Sequence, residues 1–262
     1  MNGRWLGAAL AGATMLGAGA PPTAPASAWT TPVPVLIVGG SAAVGWVDDT
    51  GMGYVERGFL GYGPSAGMAF TFTNHAIPGA RVMNPTVGAH LDEWVSAVGP
   101  GALVAIAWGL LNDVRRHTPP SVVKADVARQ IRTALARAAV VVLVTPPATR
   151  ASFEREGAAE RRLVKAELAA ARSFRSHRVY VADVFDAEMR YLTRHHLPYR
   201  VYMAGPWDPN TEGHRLAGAI LARRLTKVLR PGRVRRQILR LMGERAVPEP
   251  ATGERTAMPS PY

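Results

Sequence analysis

Five short apolar runs, set apart by stretches with helical spacing, constrain the fold of this chain more than any other feature. Val33-Pro34-Val35-Leu36-Ile37-Val38 is almost continuously apolar and ends in Gly39-Gly40, and similar runs follow at 69–73, 102–108, 139–145 and 178–182. Unbroken apolarity over so few residues marks strands buried on both faces, as in a parallel sheet. Between the last three runs, Val123, Val127, Ile131 and Leu135 recur every four residues, and 154–174 is rich in Ala, Glu, Arg and Leu; both patterns predict helices. A further helix is predicted from Asn210 or Thr211, whose side chains can cap it, through Leu216, Ile220, Leu221, Leu225 and Val228, and Arg230-Pro231-Gly232 ends it. Strand and helix thus alternate, which implies a three-layer α/β/α sandwich with a mainly parallel sheet covered on both faces.

At 262 residues and 48% hydrophobic content the chain can bury a substantial core, and one domain accounts for its length. Residues 1–28 read as a signal peptide, with Arg4, a small-residue apolar run over 6–20, and Ala26-Ser27-Ala28 as an A-x-A cleavage site. The competing reading is an uncleaved membrane anchor, for which 6–20 is short and rich in Gly and Ala. No later segment approaches the length of a transmembrane helix, so the expectation is a secreted or extracytoplasmic protein cleaved near Ala28. The chain has no cysteine and hence no disulfide, which a domain of this size does not need.

The formal net charge is +12, of which cleavage removes only Arg4. That balance favours anionic partners such as wall polymers or lipid surfaces, while no nucleic-acid-binding motif is visible. Residues 230–247 form a basic amphipathic segment in which Arg233, Arg235, Arg236, Arg240 and Arg245 surround Val234, Ile238 and Leu241. Either it touches an anionic cell-envelope surface, or its apolar side packs on the domain while its arginines stay solvated. Residues 248–262 read as a disordered tail.

Open α/β sheets bind ligands at the carboxyl ends of their strands, so the loops there are where chemistry is expected. Four carry distinctive residues: Gly39-Gly40-Ser41, Asn74-His75-Ala76-Ile77-Pro78-Gly79, Gly109-Leu110-Leu111-Asn112-Asp113, and Asp208-Pro209-Asn210-Thr211-Glu212-Gly213-His214. Taken singly, each has a bland reading: Gly-Gly-Ser is common turn chemistry, Gly79 a turn glycine, Asn112 a loop cap.

In this order and placement the four blocks resemble the SGNH/GDSL hydrolase family of esterases, lipases and deacetylases, over 33–229. The resemblance implies a flavodoxin-like sheet within a domain at 29–229, with no cofactor. It also implies that Ser41 is a nucleophile, with Gly79 and Asn112 as oxyanion donors, acting on an ester of a lipid, carbohydrate or small molecule. The chemistry agrees, because ester hydrolysis develops negative charge that the Ser41 N–H, Gly79 N–H and Asn112 amide would meet as fixed donors.

Several positions depart from the family pattern. Gly40 stands where Gly-Asp-Ser has aspartate, and Leu110 where a glycine precedes the asparagine by two residues. In the fourth block the Pro209-Asn210 and Gly213-His214 frame is kept, but Asp208 holds the place of the general-base histidine and Gly205 that of its orienting aspartate. An ordinary carboxylate, with a reference pKa of about 3.9, is a weaker base than imidazole.

His214 is the candidate substitute base, against a helix-terminal hydrogen bond. His75, His117 and the pair His195-His196 read as loop or helix-end residues, and no pair shows metal-ligand spacing, so no metal is predicted. Two functions remain: an ester hydrolase using Ser41, or a binding protein that kept the cleft, lost the base, and recognises acylated envelope carbohydrate or lipid.

Overall fold

A computed structural model describes residues 31–137 and 139–243. The proposed signal peptide, the end of the basic segment and the tail at 248–262 lie outside the described residues. Five strands form one sheet: β1 (Val33–Gly39), β2 (Phe70–Asn74), β3 (Leu103–Ala107), β4 (Val140–Val144) and β5 (Val179–Ala182). All pairings are parallel, in the order β2-β1-β3-β4-β5, the flavodoxin-like order expected. The three central strands β1, β3 and β4 are almost wholly buried, whereas edge strand β2 alternates half-buried and exposed residues.

Helices cover both faces. They run α1 (Ser41–Val44), α2 (Tyr54–Ala66), α3 (Pro85–Val98), α4 (Leu111–Arg115), α5 (Pro120–Ala136), α6 (Arg150–Phe153), α7 (Gly157–Arg172), α8 (Phe185–Arg194), α9 (Thr211–Val228) and α10 (Pro231–Leu241). Alternate strand residues feed two cores. Val35, Ile37, Ala105 and Val142 meet α2, α9 and α10 on one side; Leu36, Val38, Ile106 and Leu143 meet α3, α5 and α7 on the other.

Helix α2 is absent from the sequence reading, and its glycines are the reason. Glycine weakens helical patterning by about 1 kcal/mol per residue, yet here it lets two helices approach: a Cβ at Gly58 would lie 2.4 Å from Leu221 Cδ2 on α9. The helix predicted over 154–174 is in fact α7, preceded by the separate turn α6, which Thr149 and Ser152 close with a capping box.

The basic segment folds as α10, with Val234 and Ile238 fully buried in the core and Gln237 bonded to Tyr180 and to the His177 carbonyl. Its apolar side therefore faces the domain, so only its arginines remain for an anionic surface.

Order reversal between β1 and β3 makes a crevice at their carboxyl ends, the place where such sheets bind ligands. Gly39 permits the close approach there, since a Cβ on it would sit 1.9 Å from the Ala107 carbonyl oxygen of β3. Ser41, the first residue of α1, opens directly onto this crevice.

Candidate active site

The cleft has a volume of about 340 Å³ and is lined by Ser41, Gly79, Asn112, Asp208, the two tryptophans Trp46 and Trp207, and the loop carrying Pro146, Pro147 and Thr149. All four loops singled out in the sequence meet at the carboxyl end of the sheet. At the centre the Ser41 hydroxyl donates to Asp208 Oδ1 at 2.7 Å, across 167 residues of sequence. Asp208 thus occupies the place of a proton acceptor for Ser41.

The donor side is held by backbone and buried struts. Gly79 has φ +74°, a conformation that side-chain-bearing residues disfavour. Among the described residues no hydrogen bond engages the N–H of Ser41 or Gly79, or the Asn112 side-chain amide. These groups are open to a substrate oxygen.

The loop carrying Gly79 is fixed at Val82, whose N–H donates to the buried carboxylate of Asp113 and whose carbonyl accepts from Gln130, itself bonded to Trp108. Asp113 follows Asn112 on α4, so one strut sets the second block against the third. Burial pushes the Asp113 carboxyl above its ordinary range.

Leu110, where the family has glycine, also takes positive φ at 56°. The strain costs about 1–3 kcal/mol, and its side chain offsets part of that by being fully inside the core.

The fourth block is a framework for Asp208. Asn210 caps α9 by accepting from the Gly213 N–H and donates to the Val201 carbonyl. Met203 and Pro209 form an antiparallel bridge, the Ala204 N–H donates to the Asp208 carbonyl, and the Pro206 carbonyl accepts from Ala151. The loop carrying Asp208 is tied down at three points.

His214 takes the helix-anchoring role and not that of a substitute base. It is fully buried on α9, and its Nε2–H donates to the Trp46 carbonyl at 3.1 Å. That bond leaves Nδ1 as the unprotonated nitrogen, buried and without a partner among the described residues, and burial holds its pKa below the usual imidazole value. It fastens the loop after Ser41 to α9, helped by Thr211, which bonds Asp49 through both its backbone and its carboxylate.

His75 stacks on Trp94 and His117 is exposed beyond α4. No histidine lines the cleft among the described residues. Among those residues, too, no three His, Asp or Glu side chains gather as a metal would require.

The sequence reading missed Trp46 and Trp207, 54% and 40% exposed at the cleft mouth, and the loop after β4. The latter had a signal, since Pro146-Pro147 directly follows the fourth apolar run and occupies the same end of the sheet.

Known proteins show the same architecture. Residues 37–216 match the model of the GDSL-like lipase/acylhydrolase family. Among solved structures, the chain is similar to a lipolytic G-D-S-L family member from Veillonella parvula DSM 2008, at TM-score 0.57 and 19% identity over 74% of this chain and 97% of that one. It is similar to the lipase/acylhydrolase from Enterococcus faecalis at TM-score 0.57 and 18% identity, over 75% and 97% of the two chains. The psychrotrophic esterase EstA from Pseudoalteromonas sp. gives TM-score 0.52 and 14% identity, over 74% and 97%. No curated protein sequence matches.

Proposed function

The chain belongs to the GDSL-like lipase/acylhydrolase family, and from that premise we propose that it hydrolyses carboxylic esters through Ser41, with Asp208 as the proton acceptor. The observation that carries this reading is the 2.7 Å hydrogen bond from the Ser41 hydroxyl to Asp208, inside a cleft whose other wall presents unengaged donors. Ser41 Oγ attacks the acyl carbonyl while its proton passes to the Asp208 carboxylate. The oxyanion forms against the Ser41 N–H, the Gly79 N–H and the Asn112 amide. Collapse breaks the ester C–O bond, and the alcohol leaves with the proton from Asp208. Water then gives a proton to the same carboxylate, attacks the acyl-serine, and frees the acid and Ser41.

A carboxylate accepts a proton from serine less readily than imidazole does, so turnover is slow for this fold. Loss of the histidine in a serine triad can cost about a millionfold in turnover, and the oxyanion hole and binding still leave about a thousandfold over the reaction in water. A second reading, a binding protein for acylated envelope carbohydrate or lipid, draws on the same fact: among the described residues no imidazole lines the cleft. We place either function outside the cytoplasm on the strength of residues 1–28.

The test uses protein exported by its host, whose mature N-terminus is expected at Trp29. It should hydrolyse short p-nitrophenyl esters above background. Ser41→Ala should abolish that activity, and Asn112→Ala should lower kcat/KM by about 10²-fold, the effect of about 3 kcal/mol at one oxyanion donor. Hydrolysis that survives Ser41→Ala overturns the mechanism, and ester binding with no hydrolysis selects the second reading.

A further inference from the structure

Beside the Ser41 cleft lies another cavity, of about 650 Å³, lined by Gly79, Asn112, Arg81, Arg115 and Arg116. It shares both Gly79 and Asn112 with the cleft, so these two residues stand between the nucleophile and three guanidinium groups.

Arg57, Arg129, Arg137 and Arg215 each pair with a carboxylate, whereas no carboxylate bonds the side chains of Arg81, Arg115 or Arg116 among the described residues. The acid that Arg81 influences is Asp113, which is buried and faces the Val82 N–H instead of the cavity. Arg115 is also held in place: its guanidinium carbon lies 4.1 Å over the ring of Trp207, which lines the Ser41 cleft and precedes Asp208.

We propose that this cavity is a subsite for an anionic group, so that the ester taken by Ser41 carries a phosphate or carboxylate on the side of its carbonyl next to Gly79 and Asn112. Guanidinium forks match both anions by paired, charge-assisted hydrogen bonds. Three unneutralised cations also draw an anionic ester toward the cleft, an attraction that salt screens. The inference rests on the Ser41 reading for the orientation of the ester, and on the arginines alone for the binding of the anion.

Binding is therefore measured by calorimetry in the Ser41→Ala chain, where nothing turns over, with monomethyl succinate, its neutral counterpart dimethyl succinate, and inorganic phosphate as probes. The anionic ester should bind about tenfold more tightly than the neutral one, phosphate should compete with it, and added salt should narrow the gap. Phosphate binding more tightly than the carboxylate would identify phosphate esters as the better source of the anion, and the reverse order carboxylate esters.

Arg115→Gln with Arg116→Gln, both exposed positions, should erase the preference, measured within each variant as the ratio of the two succinates. Equal binding of the two succinates, no binding of the anionic one, or a preference that persists when Arg81→Gln is added would overturn the subsite. A preference that holds while the unmutated chain hydrolyses nothing would instead overturn only the catalytic reading.

Discussion

Asp208→His combined with Gly205→Asp is expected to raise kcat/KM on p-nitrophenyl esters by about 10²-fold. In the proposed mechanism Ser41, Gly79 and Asn112 already line one cleft, so removal of the Ser41 proton is the step that the substitutions would speed. An imidazole titrating near neutral pH accepts that proton in the transition state far better than a carboxylate does. It also needs a partner to hold its tautomer, which an aspartate at 205 would supply.

Position 205 has room for it, since nothing lies within 4 Å of a Cβ built there. The three ties that hold the loop at Met203–Pro209, Ala204–Asp208 and Pro206–Ala151 involve backbone atoms and survive both substitutions. Steady-state kinetics checks this, with Asp208→Ala as the opposite arm, in which the acceptor is lost and activity should fall. A double variant no faster than the parent, or Asp208→Ala as fast as the parent, would mean that Asp208 does not take the proton.

The second large effect concerns stability and pH. Glu160 and Glu188 are completely buried, and burial pushes their carboxyls up to about 8; burial raises Glu167 well above its ordinary value too. Glu160 accepts from the Ser152 hydroxyl and Glu188 from the Ala148 N–H, while both oxygens of Glu167 lack partners among the described residues. These acids are protonated in the fold near neutral pH but ionise from about 4.5 in the unfolded chain.

A raised folded pKa means the folded state binds more protons over that interval. The stabilisation is thus complete below about 4.5 and is lost as pH rises through about 8. At 1.36 kcal/mol per pKa unit, the loss is on the order of 5 kcal/mol for each of Glu160 and Glu188. Between pH 5.5 and pH 8.5 the two together lose about 7 kcal/mol, and Tm should fall by about 15 °C or more. Thermal unfolding followed by circular dichroism checks it, and Glu188→Gln with Glu160→Gln should flatten the dependence. A Tm that rises over that interval would contradict the assignment. The same acids hold the loop after β4 that lines the cleft, so activity should be lost along with stability on the alkaline side.

Strands were the most legible part of the fold because a doubly covered parallel strand must be apolar at every position, and β1, β3 and β4 are. Helices α5 and α9 were legible from four-residue spacing and, for α9, from the cap at Asn210. Helix α2 was not, because the glycines that admit Leu221 remove the apolar side chains on which such a pattern depends.

The same contrast holds at the site. Ser41, Gly79, Asn112 and Asp208 could be named because the loops that carry them resemble the four SGNH/GDSL blocks, and those loops converge at the carboxyl ends of the strands. The struts could not, because Asp113, Gln130 and Val82 meet across three separate elements with no local spacing to announce them. Nor could the role of His214 be read: whether an imidazole faces Ser41 or the Trp46 carbonyl is decided by how α9 packs, not by its neighbours in sequence. The arginine cavity was hidden for a related reason, with Arg81 contributed from one loop and Arg115 and Arg116 from another element.

The claim at the centre of this account is that Ser41 is a nucleophile whose proton goes to Asp208. Its most direct test is labelling of the purified chain with an alkyl fluorophosphonate, followed by mass spectrometry of the peptides. A single phosphonyl group is expected on Ser41, none in Ser41→Ala, and slower labelling in Asp208→Asn. A chain that binds esters but takes no label, or a label that persists in Ser41→Ala, would contradict it.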